Sequence, residues 1–493
     1  FTFDVLRSAI EEIVARFPVY RTYVAEGGAS VQDRRYIDWA VTRARRASRA
    51  SDSSAFDFVR ALMLATPPAG ASGERAARYR EFALRFQQFT APVTAKADED
   101  TSFYTFNRLI SLNDVGGDPD QFGMTVRAFH GASLDRAAVW PATMLATSTH
   151  DNKRSEDARA RINVISEMPA AWRLTVRRWS RMNRSRKRQI DGQAAPSPND
   201  EYLLYQTLVG SFPAGETDPG ALAHYRSRIE HYVVKAAREA KIHTSWAAVN
   251  TEYEDALVSF VAALLASTGD NLFLHDLRAQ SIAFAWFGRL NSISMALVKF
   301  ASPGVPDLYQ GNELLDPRLV DPDNRCAVDY DLRRARLAEL QALADGSAAA
   351  LTDTIPSWFT TPGDGRAKLW ITFRLLNFRA QQSALMATGG YQPVRATGAR
   401  AGQVIAFARR HGKTGVIAVA GRLFASLGLA PGELPLLQAA WGDTTLEVGF
   451  LPPHTTLTNV LTRESFDVRD ACIEMGQAFR YFPAALLHFV LPG

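Results

Sequence analysis

"ATSTHDNKRSED" (residues 146–157) is the stretch whose reading decides the fold. A run of apolar and small residues, with Ala142, Met144, Leu145 and Ala146, ends in His150-Asp151. Asn152, Lys153, Arg154, Glu156 and Asp157 follow at once. The segment 139–149 is rich in Thr and small residues and too short for a typical helix, which predicts a buried strand. A strand that hands a carboxylate to following helices is how α/β barrels present catalytic groups. In that position Asp151 can stabilise positive charge developing on a sugar ring, and His150 can hydrogen-bond sugar hydroxyls. Asp is also a favoured N-cap, so capping of the next helix is the competing reading of Asp151. A metal site on His150 is the weaker reading, because no second His or Cys lies at ligand spacing.

Upstream of this stretch the pattern is helical. In "FDVLRSAIEEIVARF" (3–17), Leu6, Ile10, Ile13, Val14 and Phe17 share one face. Ser30 is placed to cap a helix through the forties; Phe56, Val59 and Leu62 stripe another, and Tyr79, Phe82, Phe86 and Phe89 a fourth. Downstream, helical patterns run from about 153 to 300, broken by the loop "DGQAAPSPND" (191–200). "SPGVPDLYQGNEL" (302–314) then reads as a second short strand, Val305 to Tyr309, with Gly311 and Glu313 at its exit. Beyond about 390 the chain turns β-like. "QVIAFARRHGKTGVIAVAG" (403–421) holds two apolar runs joined through His411-Gly412-Lys413, a hairpin pattern. "TTLEVG" (444–449), "LTNVLT" (457–462) and "LLHFVL" (486–491) continue in that style, as in a β-sandwich.

Composition is that of an ordinary globular protein: 493 residues, 47% hydrophobic and 22% charged, with a net charge of +5. This mild basicity points to neither nucleic acid nor membrane. Two cysteines, Cys326 and Cys472, indicate no disulfide framework, so a reducing cytoplasm is the expected compartment. "ALVSFVAALLA" (256–266) is far short of the roughly 20 residues that span a bilayer. The chain starts at Phe1 with no initiator Met, and an internal piece of something longer is the expectation.

Three further stretches carry possible chemistry. "VDPDNRCAVDY" (320–330) sets Asp323 beside Arg325, which suits bidentate bonding to vicinal hydroxyls; a turn held by Asp and Asn side chains is the competing reading. "AKADEDTSFYTFNRL" (95–109) packs Lys96 and three acids against Phe103, Tyr104 and Phe106, as sugar-stacking surfaces do and as amphipathic helices do. The run Arg173, Arg177, Arg178, Arg181, Arg184, Arg186, Lys187 and Arg188 could meet phosphate, though a solvated helix face explains it as well.

Taken together, "FPVYRTYV" (17–24), "AKADEDTSFYTFNRLISLNDVGGDP" (95–119), "ATSTHDNKRSEDARARINVISE" (146–167), "NDEYLLYQTL" (199–208), "REAKIHTSW" (238–246) and "SPGVPDLYQGNELLDPRLVDPDNRCAVDY" (302–330) resemble the maltooligosyl trehalose synthases. These belong to glycoside hydrolase family 13, the α-amylase superfamily. Thr149-His150-Asp151 resembles the last shared catalytic motif, and Gly304–Glu313 the segment around the eighth barrel strand.

The resemblance implies an α/β fold: the C-terminal part of a (β/α)8 barrel with large helical insertions, then a C-terminal β-sandwich. It implies a helical insertion domain over 1–135, barrel over 136–388 with a further helical insertion near 185–290, and the sandwich over 389–493. The implied reaction turns the reducing-end α-1,4 linkage of a maltooligosaccharide into an α,α-1,1 linkage by intramolecular transglycosylation. Asp151 is then the transition-state-stabilising carboxylate and His150 binds the glucose whose bond is broken. Lys153 and Arg154 orient these groups or contact the glucan. Asp323 and Arg325 bind glucose units on the non-reducing side, and Lys96, Phe103 and Tyr104 hold the reducing-end glucose. Neither metal nor organic cofactor is required. Asn152 stands where the family usually shows Thr, and Ala97-Asp98 where it shows Gly and an apolar residue. No Asp-Gly-x-Arg-x-Asp-like stretch occurs near the start, so the nucleophile and acid/base motifs are expected upstream, in an N-terminal part that would be this chain's partner. A hydrolase of the same superfamily and a non-catalytic carbohydrate-binding fragment are the alternatives.

Overall fold

A computed structural model of the chain describes residues 1–48, 53–215, 218–267 and 269–492, which form a mixed helix and strand architecture. Two compact units divide it, Phe1–Phe103 and Tyr104–Gly493. The first unit is helical: α1 (Phe3–Val14), α2 (Val31–Ala47), α3 (Ser54–Met63) and α4 (Gly73–Thr94). Ile13, Ile37, Val41, Val59, Met63 and Phe86 make its core, and Leu6, Ile10, Val14 and Phe17 pack against it, as the three-and-four spacing predicts. Ser30 caps α2 in a capping box with Asp33, so two orphan N–H groups are satisfied reciprocally. Phe89 departs from the predicted stripe and is exposed.

In the second unit, α5 (Val126–Val139) leads to the short strand β1 (Met144–Leu145). After it come α6 (Glu156–Asn163), α7 (Pro169–Met182), β2 (Arg188–Ile190), β3 (Gln193–Ala195), α8 (Pro198–Ser211), α9 (Pro219–Ala240), α10 (Thr251–Leu264) and α11 (Leu272–Ala301). Strand β4 (Val305–Pro306) follows, then α12 (Tyr330–Asp345), α13 (Ala348–Thr354), α14 (Arg366–Gln381) and α15 (Ser383–Thr388). The stretch at 191–200, predicted as a loop, begins as a hairpin turn. Asp191 and Gly192 both adopt positive φ, the geometry of a two-residue β-turn, and join β2 to β3.

The strand predicted over 139–149 is real but shorter, and it is not buried. β1 pairs in parallel with β4, Met144 opposite Val305, and among the described residues this sheet has no third strand. Met144 is therefore 67% exposed. Gly304 makes the pairing possible: at φ 127°, an added Cβ would meet Thr143 O at 2.8 Å and Leu145 Cγ at 2.7 Å. Behind the pair runs α11, whose 30 residues are the longest helix described. It is long and apolar enough to cross a membrane by composition, but its most apolar window is 72% buried, which makes it a core helix. Gly288 lets α6 settle on it, since a Cβ there would lie 2.5 Å from Arg161 Cγ.

The C-terminal strands are β5 (Gly390–Val394), β6 (Ala396–Thr397), β7 (Val404–His411), β8 (Thr414–Gly421), β9 (Thr445–Glu447), β10 (Thr456–Asn459), β11 (Ser465–Asp467), β12 (Cys472–Glu474) and β13 (Ala484–Val490). They form an antiparallel six-stranded sheet, β11-β10-β13-β8-β7-β5, and a three-stranded one, β12-β9-β6. The β7–β8 hairpin turns at Gly412-Lys413 as its sequence predicts. Both sheets share a continuous apolar core with α8–α11 and α14.

Candidate functional site

The Thr147–Asn152 loop leaves β1 and carries His150 and Asp151, both exposed. No hydrogen bond or ion pair from the described residues reaches the Asp151 carboxylate, whose backbone N–H donates to Thr149 Oγ1 at 3.2 Å. Asp151 does not cap the following helix. Ser155 does, its Oγ accepting the Ala158 N–H at 3.4 Å. The competing reading of Asp151 therefore falls, and its charge is free for solvent or a ligand.

The backbone beneath these side chains is held at several points. Lys299 Nζ donates to Thr147 Oγ1 at 2.7 Å, and the Glu156 N–H donates to Ser148 Oγ at 2.9 Å. Asn152 accepts the Thr149 N–H and donates to the Asp114 carboxylate, which Arg159 faces at 3.1 Å. Asn324 Nδ2 donates to the His150 carbonyl at 2.8 Å. Asn152, the departure from the family's Thr, thus has a structural task that uses both ends of its amide.

Under the loop lies a buried charge cluster. Lys368 Nζ sits 2.7 Å from Glu156 Oε1 and 2.7 Å from Asp157 Oδ2, and Lys299 lies 3.4 Å from Glu156 Oε2. Asp157 Oδ2 also accepts the Asp316 N–H at 2.7 Å. Burial opposes ionisation of Glu156, but the Lys368 and Lys299 charges outweigh it and hold its carboxyl down to about 2. Burial and the Glu156 charge push the Asp157 carboxyl up, against the pull of Lys368. Two cations against two carboxylates leave the cluster balanced, as a buried cluster must be.

Several residues expected to touch sugar are buried or engaged by other protein groups. Arg154 is 1% exposed, its guanidinium donating to the Ile110 carbonyl at 3.2 Å and the Tyr232 hydroxyl at 2.8 Å. Lys153 is equally buried. Neither side chain faces solvent. Asp323 is saturated by protein: Arg228 binds it bidentately at 2.6 and 2.7 Å, and the Leu319 N–H donates at 2.7 Å. Burial raises the Asp323 carboxyl, but the Arg228 bonds outweigh it and hold it below the usual range. Asp323 is thus the anchor of a turn, the alternative its motif left open. Arg325 stays exposed beside Asp321. In the first unit, Lys96 is exposed and paired with Asp100 at 2.5 Å, while Phe103 is buried. Tyr104, in the second unit, is 2% exposed within its core, so neither ring offers a stacking face. Glu313, at the exit of β4, is engaged by Arg333 at 2.8 Å. Half of the basic run, Arg173, Arg177, Arg178 and Arg181, lies on an exposed face of α7, with Arg178 on Asp276; beyond the helix, the half-buried Lys187 pairs with Glu201 at 2.8 Å.

Sequence reasoning missed Asp114, Lys299, Asn324 and Lys368 as supports of the loop. Asp114 was within reach, in the quoted "SLNDVGGDP"; the others come from segments about 150–220 residues away, which no local pattern connects.

No family model matches the chain. Two curated Mycobacterium tuberculosis proteins, from strains CDC 1551 / Oshkosh and ATCC 25618 / H37Rv, carry the provisional name maltooligosyl trehalose synthase. Each is 34% identical over 416 residues, 83% of this chain and 46% of the relative. The solved maltooligosyltrehalose synthase of Arthrobacter ramosus matches with a TM-score of 0.77 at 32% identity, over 99% of this chain and 55% of that one. A Sulfolobus tokodaii structure, described as a hypothetical maltooligosyl trehalose synthase, gives 0.67 at 26% identity, with 99% and 55% covered. The chain therefore resembles maltooligosyl trehalose synthases in sequence and in structure, as its motifs indicate, and spans about half the length of the curated relatives it matches.

Proposed function

We propose that this chain forms part of a maltooligosyl trehalose synthase, in which Asp151 stabilises the transition state of an intramolecular transglycosylation on α-1,4-glucans. One observation carries the reading: an exposed carboxylate with no partner among the described residues, on a loop held by Lys299 at Thr147 Oγ1 and by Asn324 at the His150 carbonyl. A fixed negative charge stabilises an oxocarbenium-like centre without reorganising at the moment of reaction. The resemblance assigns a carboxylate nucleophile and a proton-donating Glu to motifs upstream of the stretch that matches residue 17. With those, the terminal α-1,4 bond breaks to a β-glycosyl-enzyme. The released glucose turns and attacks through its anomeric hydroxyl, giving net retention.

Within this scheme His150 hydrogen-bonds hydroxyls of the reacting glucose, and the exposed Arg325 contacts glucose units on the non-reducing side. Lys153, Arg154 and Asp323 act as positioning residues. We read β1 and β4 as neighbouring strands of a (β/α)8 barrel over 136–388 and the two C-terminal sheets as a β-sandwich over 389–493; the parallel pairing across a helical insertion supports the first. The test is the full-length protein incubated with maltopentaose. Loss of reducing ends without release of glucose is the expected result. A rise in reducing sugar would instead make it a hydrolase, and binding without turnover a carbohydrate-binding protein.

A further inference from the structure

The stretch "REAKIHTSW" (238–246) makes none of the hydrogen bonds that hold the loop around Asp151, and it ends in a large exposed ring. Trp246 lies between α9 and α10 and is 56% exposed. Single exposed apolar residues are ordinary, so the case rests on how this one is held and what it adjoins.

Its surroundings fix it. The Arg238 guanidinium lies over the indole, 4.8 Å from the ring centre, and also binds Glu254 bidentately at 2.8 and 2.7 Å. Glu254 Oε1 accepts the Thr244 hydroxyl at 2.7 Å, and Thr244 Oγ1 accepts the Asn250 N–H at 3.0 Å. The Ser245 N–H donates to the Ala248 carbonyl at 3.0 Å, and His243 stacks on Tyr253 with ring centres 4.4 Å apart. The loop 241–250 is thus tied internally and to α10. It presents Trp246 with one face under a cation and the other turned to solvent. A rigid, amphipathic ring of this kind offers contact area at little entropic cost.

Its position indicates the occupant. α9 carries Arg228, Lys235 and Arg238 within about 15 Å of helix, at 1.5 Å per residue. Arg228 binds Asp323, while Lys235 Nζ donates to the Asp321 carbonyl at 2.6 Å and lies 3.8 Å from the Asp321 carboxylate. Asp321 in turn pairs with Arg325. Lys235 and Arg238 are three residues apart, hence neighbours on the helix surface. A chain of contacts therefore leads from Arg325 through Asp321 and Lys235 to Arg238 and Trp246, all within the second unit. It starts on the loop whose Asn324 holds the His150 carbonyl. Hydrogen-bonding groups that end in an open aromatic face match a pyranose chain, which has hydroxyls around its rim and C–H groups on its faces.

We infer that Trp246 is the outer stacking platform for the non-reducing arm of an α-1,4-glucan whose nearer units meet Arg325. This rests on the glucan reading given above and adds to it a residue that sets preference for longer chains. A short substrate ends before it reaches the indole. A long one lays a glucose ring on it and gains binding that is equal in ground and transition states, which lowers KM and leaves kcat alone.

The test compares the full-length protein with Trp246→Ala and Trp246→Phe on maltotriose and maltoheptaose, by loss of reducing ends and by titration calorimetry. Trp246→Ala should raise KM and Kd for maltoheptaose at least about fivefold, the scale of leaving an apolar ring face in water, with kcat and melting temperature unchanged. Its maltotriose constants should stay at the parent values. Trp246→Phe, which keeps a smaller ring, should shift the maltoheptaose constants less, and decides the matter if the alanine variant does not fold. Equal loss on both sugars, or none on either, overturns the inference. So does a changed elution volume in size-exclusion chromatography with sugar binding intact, which would make Trp246 a contact between copies of this chain. A parent that binds maltoheptaose through Trp246 and converts neither sugar would refute the transglycosylation reading and leave the platform standing. One that binds neither sugar would overturn both.

Discussion

Asn324 Nδ2 lies 2.8 Å from the carbonyl oxygen of His150, so the Asp-Pro-Asp-Asn-Arg loop and the Thr-His-Asp loop are joined through backbone as well as through neighbourhood. The same loop is fastened at its other side by Asp323 on Arg228. A site residue and its scaffold are therefore one mechanical piece, and substitutions can be sorted by which of the two they strike.

Asp151→Asn strikes the site alone. Turnover should fall on the order of a hundredfold or more, the scale of losing one preorganised electrostatic contact in a transition state. The melting temperature should stay at the parent value, since no hydrogen bond or ion pair from the described residues reaches this carboxylate. Ser155→Ala is the contrast: loss of the α6 cap should cost about 1 kcal/mol in denaturant unfolding.

Asn324→Ala should lower kcat severalfold with KM nearly constant, because the His150 carbonyl loses its tie while the binding groups remain. An equal loss in KM and none in kcat would make Asn324 a glucan contact.

Asp323→Ala and Arg325→Ala should separate. The first leaves Arg228 half-buried without its bidentate partner and should lower the melting temperature markedly. The second, at an exposed side chain, should leave stability unchanged and raise KM for maltopentaose.

Lys368→Met removes the cation shared by Glu156 and Asp157, both at most 3% exposed. Unfolding free energy should drop by about 3–5 kcal/mol, the usual cost of leaving a buried charge without its partner. Urea titration monitored by far-ultraviolet dichroism measures it.

Glu167 gives the chain a pH dependence. Burial pushes its carboxyl up to about 7 from an ordinary 4.5, against the backbone N–H groups of Ser426 and Ala425 and the Arg422 charge. A raised acid loses stability as pH rises from the unfolded to the folded value, so this contribution is complete below 4.5 and gone above 7. At most about 3 kcal/mol is involved. Glu167→Gln, which can still accept the Ser426 N–H, should be more stable than the parent at pH 8 and equal to it at pH 4.

Elements whose signals are local could be read from the sequence. The Ser30-x-x-Asp33 cap, the β7–β8 hairpin and both short strands have their determinants within a few residues. The Asp191-Gly192 turn was equally local, but its strands are three residues each and carry no alternation to flag them. What escaped was long-range charge pairing. Asp323, Arg154, Glu156 and Asp157 are polar in sequence and look solvated or sugar-facing, yet Arg228, Tyr232, Lys299 and Lys368 arrive from distant helices to bury them. Polarity alone cannot tell a charge that awaits a ligand from one that has its partner, whereas Asp151 is distinguished by having none among the described residues.

The pairing of Met144 with Val305 joins residues about 160 positions apart, which sets a timetable for the growing chain. At roughly 5–20 residues per second, β1 leaves the ribosome some 8–30 s before its neighbour is made. During that interval α6 to α10 emerge and can form their largely local contacts, while the loop bearing His150 and Asp151 has neither Lys299 nor Asn324 to hold it. The segment bearing Asp151 is thus translated early and set late. Its final shape waits on residues that the cell has not yet made.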